Sequence, residues 1–144
     1  MSPVMKNLQL LSVGVALPDL MIVIWTVHGG GMRGSLTTII RSDLTISEVE
    51  YNPSRPLDDQ PPKRDLGLVT PEAFQELATV LFENQIDQIP TSTPLAPGSA
   101  SVAFSVKSGE ERIDRSASSG SLDKVPALKA VQMTIARLRS AFPM

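Results

Sequence analysis

His28, the only histidine, opens the run HGGGMRG over residues 28–34, and this run comes nearest to a known catalytic arrangement. In lipases and esterases, glycine backbone N–H groups that follow a histidine face a developing oxyanion. Acyl transfer also needs a nucleophile elbow and a second histidine for the triad, and the chain has neither. As a phosphate cradle the run lacks a G-K-[ST] ending and precedes a predicted strand rather than a helix. Glu48 and Glu50 alternate along a predicted strand and so share one face, the minimum for a carboxylate pair, although neighbouring acids more often form a solvated face. Asp58, Asp59 and Asp65 offer oxygen ligands, but their spacing fits no EF-hand loop and prolines occupy the middle. Glu110, Glu111 and Asp114 interleave with Arg112 and Arg115 in the manner of an exposed strand.

Composition removes further chemistries. Thirteen basic and fifteen acidic residues among 144 give a net charge of −2, with 42% hydrophobic residues, which suits one domain with its own core. The basic residues are scattered, so nucleic acid is not an expected partner. The absence of cysteine removes disulfides, thiolate metal sites and a thiol nucleophile. No cofactor or metal is expected. Residues 8–27, LQLLSVGVALPDLMIVIWTV, form the one candidate targeting or membrane segment. Pro18 and Asp19 interrupt it, and a charge near the centre of a spanning helix costs about 2.5 to 3.5 kcal/mol. A cytoplasmic location is expected; secretion, with 8–17 as a signal-peptide core, and anchoring through this segment are the alternatives.

The elements that would position these residues can be read along the chain. Residues 20–27 are apolar and β-branched and end at the glycines, which predicts a buried strand; 35–41 and 44–51 extend it into a three-stranded meander. In the third strand the apolar period slips near Ser47 and Glu48, as a bulge or an early strand end would cause. Residues 52–66, with Pro53, Pro56, Pro61 and Pro62 among charges, read as an exposed loop. Thr70, Pro71 and Glu72 supply the N-cap, first-turn proline and first-turn acid of a helix carrying Phe74, Leu77, Ala78 and Leu81. Val102, Phe104 and Val106 alternate into a hairpin with a turn at Ser108 and Gly109. Leu128, Val131, Ile135, Leu138 and Phe142 form the stripe of a closing helix.

The fold class that follows is α+β: an antiparallel sheet of about five strands in the order β-β-β-α-β-β-α, with two helices on one face. Residues 1–18 read as an N-terminal extension and 19–144 as the domain, with the loop at 52–66 projecting from it.

The segments GGGMRG, LVTPEAFQELATVLFE, IDQIP, VAFSVKSGEERID and VPALKAVQMTIARL resemble, in this order, the emfourin family of small bacterial inhibitors of thermolysin-like metalloproteases. The resemblance spans Trp25 to Leu138. The chain departs from the family in its N-terminal extension, in the longer 52–66 insertion, and in GSASVAFSV, where relatives carry an acidic residue and aromatics. What the resemblance implies is a noncatalytic protein-binding module, a protease inhibitor whose partner is a metalloprotease. Gly30, Gly31, Met32 and Arg33 are the candidate contact residues, Met32 as the apolar anchor and Arg33 as a polar contact. An anchored or assembly subunit using residues 8–25, and a small carboxylate-dependent enzyme using Glu48 and Glu50, are the competing functions.

Overall fold

The computed structural model describes residues 2–17, 20–29, 34–89, 100–118 and 124–142. It is α+β, with a single antiparallel sheet of six strands in the order β4-β3-β2-β1-β5-β6. The strands are β1 (Met21–His28), β2 (Ser35–Arg41), β3 (Thr45–Tyr51), β4 (Arg64–Leu68), β5 (Ser101–Ser108) and β6 (Glu111–Ser118). The most apolar strand, β1, occupies the centre and pairs along its length with both β2 and β5. Met21, Val23 and Trp25 alternate toward one face and are buried there, beside Ile40 and Ile46 on one flank and Val102, Phe104 and Val106 on the other.

Three helices, α1 (Pro3–Ser12), α2 (Pro71–Glu83) and α3 (Pro126–Ser140), supply the rest of this core. Thr70 caps α2 by accepting a hydrogen bond from the Ala73 N–H at 3.1 Å, and Phe74, Leu77, Ala78 and Leu81 are buried as their spacing predicts. On α3 the buried residues are Leu128, Val131, Thr134, Ile135 and Leu138, and Phe142 is partly buried just beyond its end.

Four features differ from the sequence reading. Residues 3–12 do not stand apart from the domain as an extension: Ser2 caps α1, and Val4, Met5 and Leu8 are buried in the common core. The Gln75 side chain donates to the Ser12 carbonyl at 2.9 Å and fixes the end of α1 to α2. Residues 64–66 lie not in a loop but in β4, an edge strand whose pairing with β3 shifts between Ile46 and Ser47. The partners Ile46↔Gly67 and Ser47↔Asp65 leave Leu66 as the extra residue, so the bulge lies on β4. Residues 52–60 are closed by one side chain: the Gln60 oxygen accepts from the Asn52 N–H at 2.7 Å, while its Nε2 donates to the carbonyls of Asn52 at 2.8 Å and Arg55 at 2.9 Å. Finally, Ser108 pairs with Glu111, placing the hairpin turn at Gly109 and Glu110, one residue later than expected.

Leu77 is fully buried at the centre of α2. Leu77→Ala is expected to destabilise the fold by about 2 to 5 kcal/mol, the range for a buried leucine, as read by urea denaturation. A loss under about 1 kcal/mol would show that the cavity collapses and that Leu77 carries little of the core packing.

Candidate functional site

Along β3, Ile46, Glu48 and Glu50 point to the helix-covered face, because they stand opposite Ile40, Thr38 and Leu36 on β2. Glu48 therefore enters the core, and only 3% of its side chain is exposed. Two arginines meet it. Arg64, its cross-strand neighbour on β4, donates through Nη2 to Oε1, and Arg139, from the last turn of α3, donates through Nε to Oε2 at 2.6 Å. Arg139 also donates through Nη1 to the Phe142 carbonyl at 2.8 Å. Phe142 packs over Gly67, where a Cβ would come within 3.1 Å of its ring and where φ is +139°. The same end of α3 is thus tied to both β3 and β4.

Removing a carboxylate from water costs several kcal/mol, and the pair of charge-assisted hydrogen bonds offsets it. Burial pushes the Glu48 carboxyl up, but the hydrogen bonds from Arg139 and Arg64, and their charges, outweigh it and hold the group below its ordinary 4.5. The contributions are unequal in kind. Arg139 is only 17% exposed, whereas Arg64 is 52% exposed and its attraction is screened by water.

Beyond this cluster the final turns of α3 stop short of the strand ends, leaving an open cleft of about 850 Å³ lined by Val27, Leu36, Glu50 and Tyr51 among others. Val27 and Leu36 continue the face that carries Trp25 and Thr38, yet each is 40% exposed where helix cover ends. Gly34 and Ser35 also line the cleft. The Gly29 N–H donates to the Gly34 carbonyl at 2.9 Å, so the β1–β2 connection leaves and re-enters the sheet at this end. Gly34 has φ +83°, and a Cβ there would lie 2.3 Å from the Tyr51 carbonyl oxygen, so only glycine fits.

Gly30, Gly31, Met32 and Arg33 lie outside the described residues. Of the residues bordering them, Gly34 lines the cleft and Gly29 is hydrogen-bonded to it. His28 ends β1 between Ser35 and Ser101, on the sheet face opposite Val27. Gly29, Gly31 and Gly34 do fall at G-x-G-x-x-G spacing, but the chain continues from them into β2, and no helix N-terminus follows to receive a phosphate. Asp58 and Asp59 stand exposed in a 3₁₀ turn, while Asp65 lies on β4 with Lys63 Nζ 3.9 Å away. Among the described residues no three His, Asp or Glu side chains converge as metal ligands.

The sequence brings Glu48 and Glu50 to one face as expected, but the two have different environments: Glu48 is buried and paired, Glu50 exposed at the cleft. Arg64 and Arg139 were not among the candidate residues. The available signal was Glu48 itself, two residues from Ile46 on the apolar face of a strand. No protein-family model and no curated protein matches the chain.

Glu48→Gln is expected to cost about 3 kcal/mol at pH 7, the low end for breaking a buried ion pair because Arg64 is half exposed. Since the folded-state pKa of Glu48 is depressed, its stabilisation is complete above the unfolded value and lost as pH falls through the folded one. Denaturation curves of wild type and variant should therefore converge as pH drops below about 4.5, the unfolded carboxyl range. A gap that stays constant down to pH 3 would assign the loss to packing instead.

Proposed function

We propose that the protein is a noncatalytic protein-binding module whose contact surface is the open end of the β1–β2 hairpin together with the cleft beside it. The observation that carries this reading is the emergence of Val27 and Leu36, each 40% exposed, from the sheet face whose Met21, Val23, Trp25, Ile40 and Ile46 form the core. Two apolar side chains on rigid strands, beside a loop closed at its base by the Gly29–Gly34 hydrogen bond, form a preorganised surface that loses little entropy on binding. Met32 and Arg33 would engage the partner from the loop, and an apolar partner side chain would fill the cleft.

The state of Glu48 supports the noncatalytic reading over a carboxylate-dependent enzyme. A general acid needs a raised pKa and a general base a free oxygen, whereas Glu48 is held as an anion with both oxygens accepting from arginine. The N-terminal segment gives little support to an anchored subunit, because Leu8, Met21, Val23 and Trp25 face the protein's own core. Among the described residues no helix is long and apolar enough to cross a membrane.

The partner class we propose is a thermolysin-like metalloprotease, on the order of segments that resembles emfourins: a strand, a glycine turn, a helix, a hairpin and a closing helix. Residual proteolysis should fall stoichiometrically as the protein is titrated into such a protease. Leu36→Asp should weaken the effect about tenfold or more, the scale of losing a central apolar contact, and Met32→Ala and Arg33→Ala should weaken it less. If the wild type is simply digested, or slows cleavage only as a competing substrate, the inhibitor reading fails. If it inhibits and all three variants match it, the contact surface lies elsewhere, and the 52–60 loop, with Leu57 83% exposed, is the next to test.

A further inference from the structure

Among the described residues, the three helices cover one face of the sheet and none lies on the opposite face. Its pattern follows from register. Ile24 stands between Ile39 and Ser105, and Thr26 between Thr37 and Ala103, with Val49 beyond Thr37. The hydroxyls of Thr26 and Thr37 are 3.0 Å apart and satisfy each other. The middle of β3, β2, β1 and β5 is therefore a neutral surface of β-branched and small side chains, and its Ile24, Ile39 and Val49 are only half-buried. A solvated sheet face ordinarily alternates charged or strongly polar residues into these positions.

Among the described residues, charge on this face lies at one end and along the outer strands, where Arg112 and Asp114 border a cavity shared with Ile24 and Thr26. At one end of the face Arg41 and Lys107 flank Ile22, and Arg112 beyond them is neutralised by Asp114 at 2.7 Å; Asp65 stands on the outer strand β4. At the other end are Tyr51, Ser35, His28, Ser101 and Ser118. We infer that this face is the interface of a homodimer, in which the sheets of two copies stack with their strands antiparallel.

Area and charge both select this occupant. Five strands about 4.8 Å apart, each presenting four same-face residues about 6.8 Å apart, span roughly 650 Å². Two such faces bury about 1,300 Å², within the range of specific interfaces and near its lower end. A second copy matches the neutral centre with an identical neutral centre. A two-fold axis along the strands would set Arg41 and Lys107 against the same residues of the other copy. An axis across the strands instead sets this basic end over the Ser35 and Ser101 end and Ile24 near Thr26, with no like charges opposed. Aligned sheet stacking at about 10 Å accommodates that arrangement.

The test is sedimentation equilibrium of the full chain over a range from about 1 to 500 μM. The wild type should approach twice the 15.5 kDa of one chain at the upper concentrations. Ile24→Asp, which places a charge in the centre of the face, should remain monomeric while keeping the wild-type circular dichroism. Ser101→Glu adds a carboxylate opposite Lys107 of the second copy and should tighten the dimer about threefold or more at low salt, an effect that rising salt removes. Met133→Asp, on the outer side of α3, should dimerise as the wild type does. A wild type that is monomeric at about 500 μM overturns the inference, as does a dimer that survives Ile24→Asp. Weakening or no change in Ser101→Glu overturns the crossed arrangement. The two readings fail separately, because Ile24 and Lys107 are not among the residues that line the cleft.

Discussion

A single carboxylate, Glu48, joins the parts of this protein that backbone pairing leaves loosely connected. β4 is a short edge strand with a bulge, and the end of α3 projects beyond the main apolar contact with the sheet. The carboxylate accepts from a guanidinium of each and also belongs to β3, so one buried charge specifies three relative positions at once. Its desolvation is costly, but the cost serves geometry: hydrophobic contact is non-directional, whereas a carboxylate bridged by two arginines accepts few arrangements. The inner wall of the cleft is made of these same groups, and its shape depends on them.

The sheet divides the molecule into two unlike halves. On one side α1, α2 and α3 close over Trp25, Phe104 and their neighbours, with the helix-bearing residues drawn from both ends of the chain. On the other side, among the described residues, no helix covers the side chains. β1 serves both halves, its odd-numbered residues Met21, Val23 and Trp25 inward and Ile22 and Ile24 outward. A strand that is apolar on both faces is the expected pattern for a sheet covered on both sides.

Local chemistry made α2 legible: cap, proline and acid stand in consecutive positions, and the apolar spacing is purely helical. The central meander was legible for similar reasons. β4 was not, because Arg64, Asp65 and Gly67 have low strand propensity and the strand exists through pairing with a distant segment and through Glu48. The slip in β3 was seen, but its cause lies in the partner strand. Alternation in β3 is regular in space and looks irregular in sequence, since the core face carries Glu48 and the outer face carries Val49 and Tyr51. The N-terminal residues read as an extension because Pro18 and Asp19 separate them from the strand; burial of Val4, Met5 and Leu8 depends on tertiary contacts with α2 that no local pattern announces. Of the candidate site, Glu48 stands out in the sequence only as half of a carboxylate pair, Gly30 to Arg33 lie outside the described residues, and the arginines that meet Glu48 require knowledge of which elements approach each other.

The two rims of the sheet differ in how they would receive a further strand. At β6, Arg115 on the helix-covered face donates through Nε to the Ile89 carbonyl at 2.6 Å and through Nη2 to the Asp87 carbonyl at 3.0 Å, and Arg112 and Asp114 form an ion pair on the opposite face. At β4 the extra residue Leu66 breaks the regular ladder, and Pro61 and Pro62 precede the strand without N–H groups to offer. An unfolded neighbour that finds β4 meets an interrupted row of donors and acceptors, and one that finds β6 must lie beside charged side chains, two devices that make an edge a poorer template for cross-β growth.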